Sequence, residues 1–145
     1  MRQTIILVLA VLLGLYVFID RNDWFFEKPV QESTGSSGNI SHLFENRISN
    51  IQVEGDGSVK AILRDDLKGS RHQKFIVTLP TGITVLISHN IDLAPRIDTI
   101  KIGDQVAFYG EYEWNEKGGV IHWTHHDPKN KHIGGWLKHN GRIYR

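Results

Sequence analysis

The sequence predicts a mainly β protein, a small five-stranded OB-like barrel preceded by an N-terminal hydrophobic helix. Three observations carry this. From Ile51 onward, apolar residues recur at every second position, the period of a strand with one buried face. Turn residues interrupt the pattern repeatedly, and one non-strand stretch separates the third run from the fourth, the element order of an OB-type barrel. Residues 4–19, by contrast, form an apolar run without a charge. A small β-sandwich is the competing architecture.

Residues 1–26 read as a signal anchor. The apolar run approaches the ~20 residues of a membrane span. No pair of small residues follows it as a cleavage site; Asp20, Arg21, Asn22 and Asp23 come instead. Trp24, Phe25 and Phe26 then suit a membrane–water interface. The alternative is a signal peptide that is cleaved, releasing a secreted protein. Residues 27–40 are a flexible linker, with Pro29 followed by a polar Ser/Gly string.

Residues 41–145 hold the barrel domain. A short helix is expected within residues 40–50, with Ser41 as N-cap and Leu43, Phe44 and Ile48 on one side. In the first strand Val59, Ala61 and Leu63 alternate with Lys60 and Arg64, and Gly55 and Gly57 mark a bend or bulge. The second strand covers residues 72–79, with Phe75, Val77 and Leu79 on one face. The third covers 83–91, the fourth 104–114 and the fifth 119–126. Residues 92–103 connect the third to the fourth, and 115–118 form a hairpin loop. The tail, 127–145, reads as a loop held by Trp136 and Leu137.

A net charge of +1 gives no basic field for nucleic acid. The absence of cysteine excludes disulfides, thiolate metal sites and cysteine nucleophiles. No serine–histidine–aspartate order, phosphate loop or dinucleotide fingerprint is present. Histidine is the outlier: four of eight fall within residues 118–132.

Alternation sorts the polar residues by face. Arg71 and Gln73 share the inward face of the second strand, His89 that of the third, and Trp123 and His125 that of the fifth with Ile121. The antiparallel pairing of strands two and three brings Arg71 or Gln73 beside His89, and His125 joins them if the fifth strand has matching stagger. His72, Asn90, His122, Thr124 and His126 take the opposite face. His42 and His139 are expected at the surface or in the tail.

Two chemistries follow. Imidazoles with a carboxylate suit zinc or another divalent transition metal, with His89, His122, His125, Asp127 and His132 as candidate ligands. An arginine with imidazoles suits a phosphodiester or other anionic substrate. Arg71 would clamp the anion, His89 and His125 move protons, and Asp127 orient a ring. His72, Gln73, Asn90, Asp92, Trp114 and Trp123 are candidate ligand-binding residues. A non-catalytic alternative uses Tyr109, Tyr112, Trp114 and Trp123 as a stacking platform for single-stranded nucleic acid or glycan, although the charge does not favour nucleic acid. A third reading is a structural metal-binding envelope protein. No protein partner is inferred; the membrane is the partner of the leader.

The words GSRHQKF (residues 69–75), HNIDLAPR (89–96), GEYEWN (110–115) and HWTHHDP (122–128) together resemble a bacterial family catalogued as Domain of Unknown Function 3465. The likeness spans roughly residues 51–144. It implies a small secreted or membrane-anchored bacterial protein, hence an inner-membrane anchor with the domain in the periplasm, and it implies no activity. It suggests that Arg71, His72, Gln73, His89, Asn90, Asp92, His122, His125, Asp127 and His132 belong to the family's shared polar words.

Overall fold

A computed structural model describes residues 37–145. The predicted anchor and most of the predicted linker lie outside the described residues. Among the described residues no helix is long and apolar enough to cross a membrane.

Among the described residues, one helix and seven strands follow in order. They are α1 (Ser37–Glu45), β1 (Ile51–Ile62), β2 (His72–Thr78), β3 (Thr84–Asn90), β4 (Gln105–Glu113), β5 (Val120–His122), β6 (Trp136–His139) and β7 (Arg142–Tyr144). The sheet runs β1-β2-β3-β5-β4-β6-β7, and a further β1–β4 pairing closes the first five strands into a barrel. β3 and β5 pair in parallel, whereas the other pairs are antiparallel.

Closure depends on β1 reaching two neighbours. Its first part pairs with β4 from Ile51 to Ser58, and its end pairs with β2. The register with β2 shifts between Val59 and Ala61, a bulge that bends the strand. Gly57 sits where β1 passes from one neighbour to the other. A Cβ there would collide with the Thr78 carbonyl oxygen and the Val77 side chain, so this glycine permits a close backbone approach, while the bulge expected at Gly55 or Gly57 falls at Val59 and Ala61. Alternation then fills the interior with Val53, Val59, Phe75, Val77, Val85, Ile87, Val106, Phe108, Tyr112 and Ile121.

α1 adds Ile40 and Leu43 to this core, one helical turn apart on one face. Ser41 lies inside the helix and does not cap it. The C-terminus closes as a Schellman motif: Arg47 takes φ 56°, and Ile48 N–H donates to the Leu43 carbonyl. Residues 91–104 contribute Ile97 and Ile100 to the core.

Two expectations for the C-terminal part fail. The fifth strand stops at His122, because Trp123 enters the left-handed region at φ 54°. The tail is a loop only as far as Gly135. β6 pairs with β4 and turns back as β7 through Asn140 and Gly141, at φ 48° and 78°. Positive φ at both central residues is the signature of a type I′ hairpin, and Asn-Gly is its preferred pair. His139 is accordingly buried at 1% exposure, 2.7 Å from Asp104 through Nε2.

Candidate functional site

Inside the barrel mouth, the polar residues are fully committed. Gln73 and His89 are register partners facing inward, as the alternation predicts. The Gln73 amide makes two 2.9 Å bonds with the backbone of Ile97, donating to its carbonyl and accepting from its N–H. His89 is completely buried. Its Nε2 lies 3.2 Å from the Pro95 carbonyl and must carry the proton, since that oxygen only accepts. Its Nδ1 then accepts from the Thr124 hydroxyl at 2.8 Å. Burial pushes the His89 pKa down to about 4, and the charges of His125 and His72 act in the same direction. This ring is a neutral brace between β3, the 91–104 connection and the segment after β5. Both nitrogens are engaged, so none is left for a metal.

Arg71 does not face inward. It is exposed, and Asp92 holds it twice, through Nε at 2.6 Å and through its backbone N–H at 2.7 Å. Asp127 orients no imidazole. Its carboxylate accepts the backbone N–H groups of Lys129, Lys131 and His132, fixing the turn that delivers His132. These bonds, that of Lys129 first, hold its pKa below the usual carboxylate range.

The main polar cavity opens on the outer face. A cavity of about 350 Å³ is lined by Ser70, His72, Ser88, Asn90, Leu93, His122, Trp123 and His125. Ser88 and Asn90 come from the outward face of β3, His72 from β2 and His122 from β5. The left-handed turn at Trp123 resets the alternation: the indole comes to the outer face beside His122, while Thr124 goes inward to His89. This corrects the expected faces of both residues. Among the described residues that line it there is no carboxylate.

Two of its imidazoles are oriented by backbone oxygens. His72 Nδ1 lies 2.7 Å from the Ser70 carbonyl, and His125 Nδ1 lies 2.8 Å from the His126 carbonyl. Each Nδ1 is therefore the protonated nitrogen, and each Nε2 carries the lone pair. Asn90 spends its carbonyl oxygen on the Asp92 N–H, which leaves its NH₂ as a donor.

A second group adjoins the cavity at His122. Glu111 and Glu113 project from one face of β4, and His122 is the direct cross-strand partner of Glu111. One side-chain atom from each of these three residues lies within 4.8 Å of the others. His122 Nε2 is 3.2 Å from Glu111 Oε1 but is not aligned for a hydrogen bond, so it is a buried atom without a partner. Burial lowers the His122 pKa despite the opposing charges of Glu111 and Glu113.

His132 takes the other oxygen of Glu111, with Nε2 at 2.8 Å from Oε2, and its Nδ1 lies 2.9 Å from the Ile133 carbonyl. Burial acts to lower its pKa, but these two bonds and the carboxylate charges outweigh it and raise it. The ring also stacks on Trp123, centroids 4.0 Å apart and planes 7° from parallel.

The predicted residues thus divide. His72, Asn90, His122, Trp123 and His125 share the cavity; His89 and Gln73 stand behind it as braces. Arg71 and Asp92 pair with each other. Trp114 packs against α1, donating its indole N–H to the Phe44 carbonyl. The metal set His89, His122, His125, Asp127 and His132 is not assembled. Nor is the aromatic platform, because Tyr112 is in the core, its hydroxyl donating to the Gly118 carbonyl, and Tyr109 stacks with Trp136. The sequence reading missed Glu111 and Glu113. The signal was available: two acids at i and i+2 on a strand, facing a histidine across a short hairpin.

A family model described as "Protein of unknown function (DUF3465)" matches residues 27–145. No curated protein matches the chain.

Proposed function

The chain belongs to the DUF3465 family, and from its geometry we propose an OB-like barrel that binds a small phosphodiester or related oxyanion in the outer cavity and hydrolyses it by acid–base catalysis. The observation that carries this is the convergence of His72, His122 and His125 on one cavity without a carboxylate, two of the rings oriented by backbone carbonyls. An anion entering there meets donors in Ser70, Ser88, the Asn90 amide and a protonated imidazole. Leu93 and Trp123 supply an apolar wall.

In this reading His125 and His72 work in opposite protonation states. The neutral ring removes a proton from water through Nε2 as the new P–O bond forms. The protonated ring gives its proton to the leaving oxygen as the old P–O bond breaks. Fixed rings lose no orientation at the moment of reaction. On the leader's sequence reading, this chemistry takes place outside the cytoplasm at the membrane surface. The OB-like assignment rests on the element order and on the position of the cavity against β2 and β3, the face that such barrels use for ligands.

The full-length protein, assayed with bis(4-nitrophenyl) phosphate and with short dinucleotides, is expected to show a bell-shaped pH–rate profile. His125→Ala and His72→Ala should each lower the rate by about 10²-fold or more. Absence of turnover, together with absence of phosphate binding, would overturn the reading.

A further inference from the structure

We propose that Glu111, Glu113 and His122 form a binding site for one divalent transition-metal ion of the zinc class, with His132 as the residue that positions Glu111. The inference rests on this cluster's own geometry and stands or falls apart from the acid–base reading of the cavity.

The spacing fits an ion. Ligands about 2.0–2.1 Å from a tetrahedral metal lie roughly 3.3 Å from one another. His122 Nε2 and Glu111 Oε1 are 3.2 Å apart, and all three donor atoms fall within 4.8 Å. A neutral imidazole with two carboxylates is a donor set suited to zinc and its neighbours. Three protein ligands leave at least one position for water or substrate, the pattern of a catalytic and not a structural site.

A second observation points the same way. His122 Nε2 is buried and has no hydrogen-bond partner. The imidazole is held beside two carboxylates yet makes no aligned bond to either. An ion supplies the missing partner.

The surroundings are built as an outer shell. Glu111 divides its oxygens, giving Oε2 to His132 and leaving Oε1 toward His122. His132 is fixed in turn by the Ile133 carbonyl and by the flat face of Trp123. The Asp127 carboxylate holds the turn from which His132 projects. Ligating carboxylates are commonly oriented by such a neighbour. Because His122 also lines the cavity, an ion here sits at the cavity wall.

The test uses the full-length chain stripped with a chelator. Zinc binding is read by equilibrium dialysis with elemental analysis, and by competition against a chromophoric chelator. One ion per chain is expected. Glu113→Gln and His122→Asn should each weaken zinc by at least tenfold, and His132→Ala by about tenfold, the scale of an outer-shell loss. His72→Ala, on the other wall of the cavity, should keep zinc affinity while losing phosphate binding, so failure of one site is not failure of the other. A measurement on the unaltered chain guards against variants that do not fold. Paramagnetic Mn²⁺ should broaden the resonances of Glu111, Glu113 and His122 first. Broadening centred on exposed His42 or His126, or zinc affinity unchanged in both ligand variants, would overturn the proposal.

Discussion

His89 shows how one side chain can be read at the level of its atoms. Its ring is buried and neutral, with a pKa of about 4 against the usual 6.5. Protons therefore bind the unfolded chain first. The stability tied to the neutral ring is complete above pH 6.5 and is lost as the pH falls toward 4. That depression is worth about 3 kcal/mol. Urea denaturation of the wild type and of His89→Gln, measured from pH 7 to pH 4, should show the wild type losing about that much more. Curves falling in parallel would deny the brace its role. Gln73 belongs to the same argument. Gln73→Ala strands the buried N–H and carbonyl of Ile97 and should cost about 2–4 kcal/mol, readable as a drop in the urea midpoint. Both residues were legible as inward-facing from alternation alone. Their bonding was not, because the partners Ile97, Pro95 and Thr124 lie in segments without a period.

Among the elements, the first four strands and the hairpin between β4 and β5 were readable because each alternates between turn residues. β5 was not, since nothing in its composition announces that Trp123 takes φ 54°. That turn decides the site: it moves the indole to the outer face and Thr124 to the inner one. The β6–β7 hairpin carried the stronger signal, Asn140-Gly141 between Leu137 and Tyr144, but glycine and charge made the tail resemble a loop. Its weight can be measured. Leu137 is fully buried beside β4, and Leu137→Ala should destabilise the domain by about 2–5 kcal/mol. A loop packed loosely on the barrel would lose far less. α1 makes a parallel case: Ile40→Ala, also fully buried, should cost a similar amount.

Taken whole, the molecule separates polar side chains that brace the fold from those that line the outer cavity. At the barrel mouth the Gln73 amide and both His89 ring nitrogens have partners. The unspent capacity is outside, where β2 presents His72, β5 presents His122, the segment after β5 adds His125 and β4 adds two carboxylates. The histidine-rich stretch pointed to this region, but it could not say which rings are braces and which are free. That distinction depends on whether one ring nitrogen or both meet a partner: both do in His89, and Nδ1 does in His72 and His125. The most direct test is an NMR titration of the full-length protein with inorganic phosphate, following the histidine ring resonances. The account predicts that His72 and His125 shift together and saturate on one curve, while His89 stays still. Shifts spread evenly over exposed His42 and His126, with His72 and His125 unmoved, would contradict it.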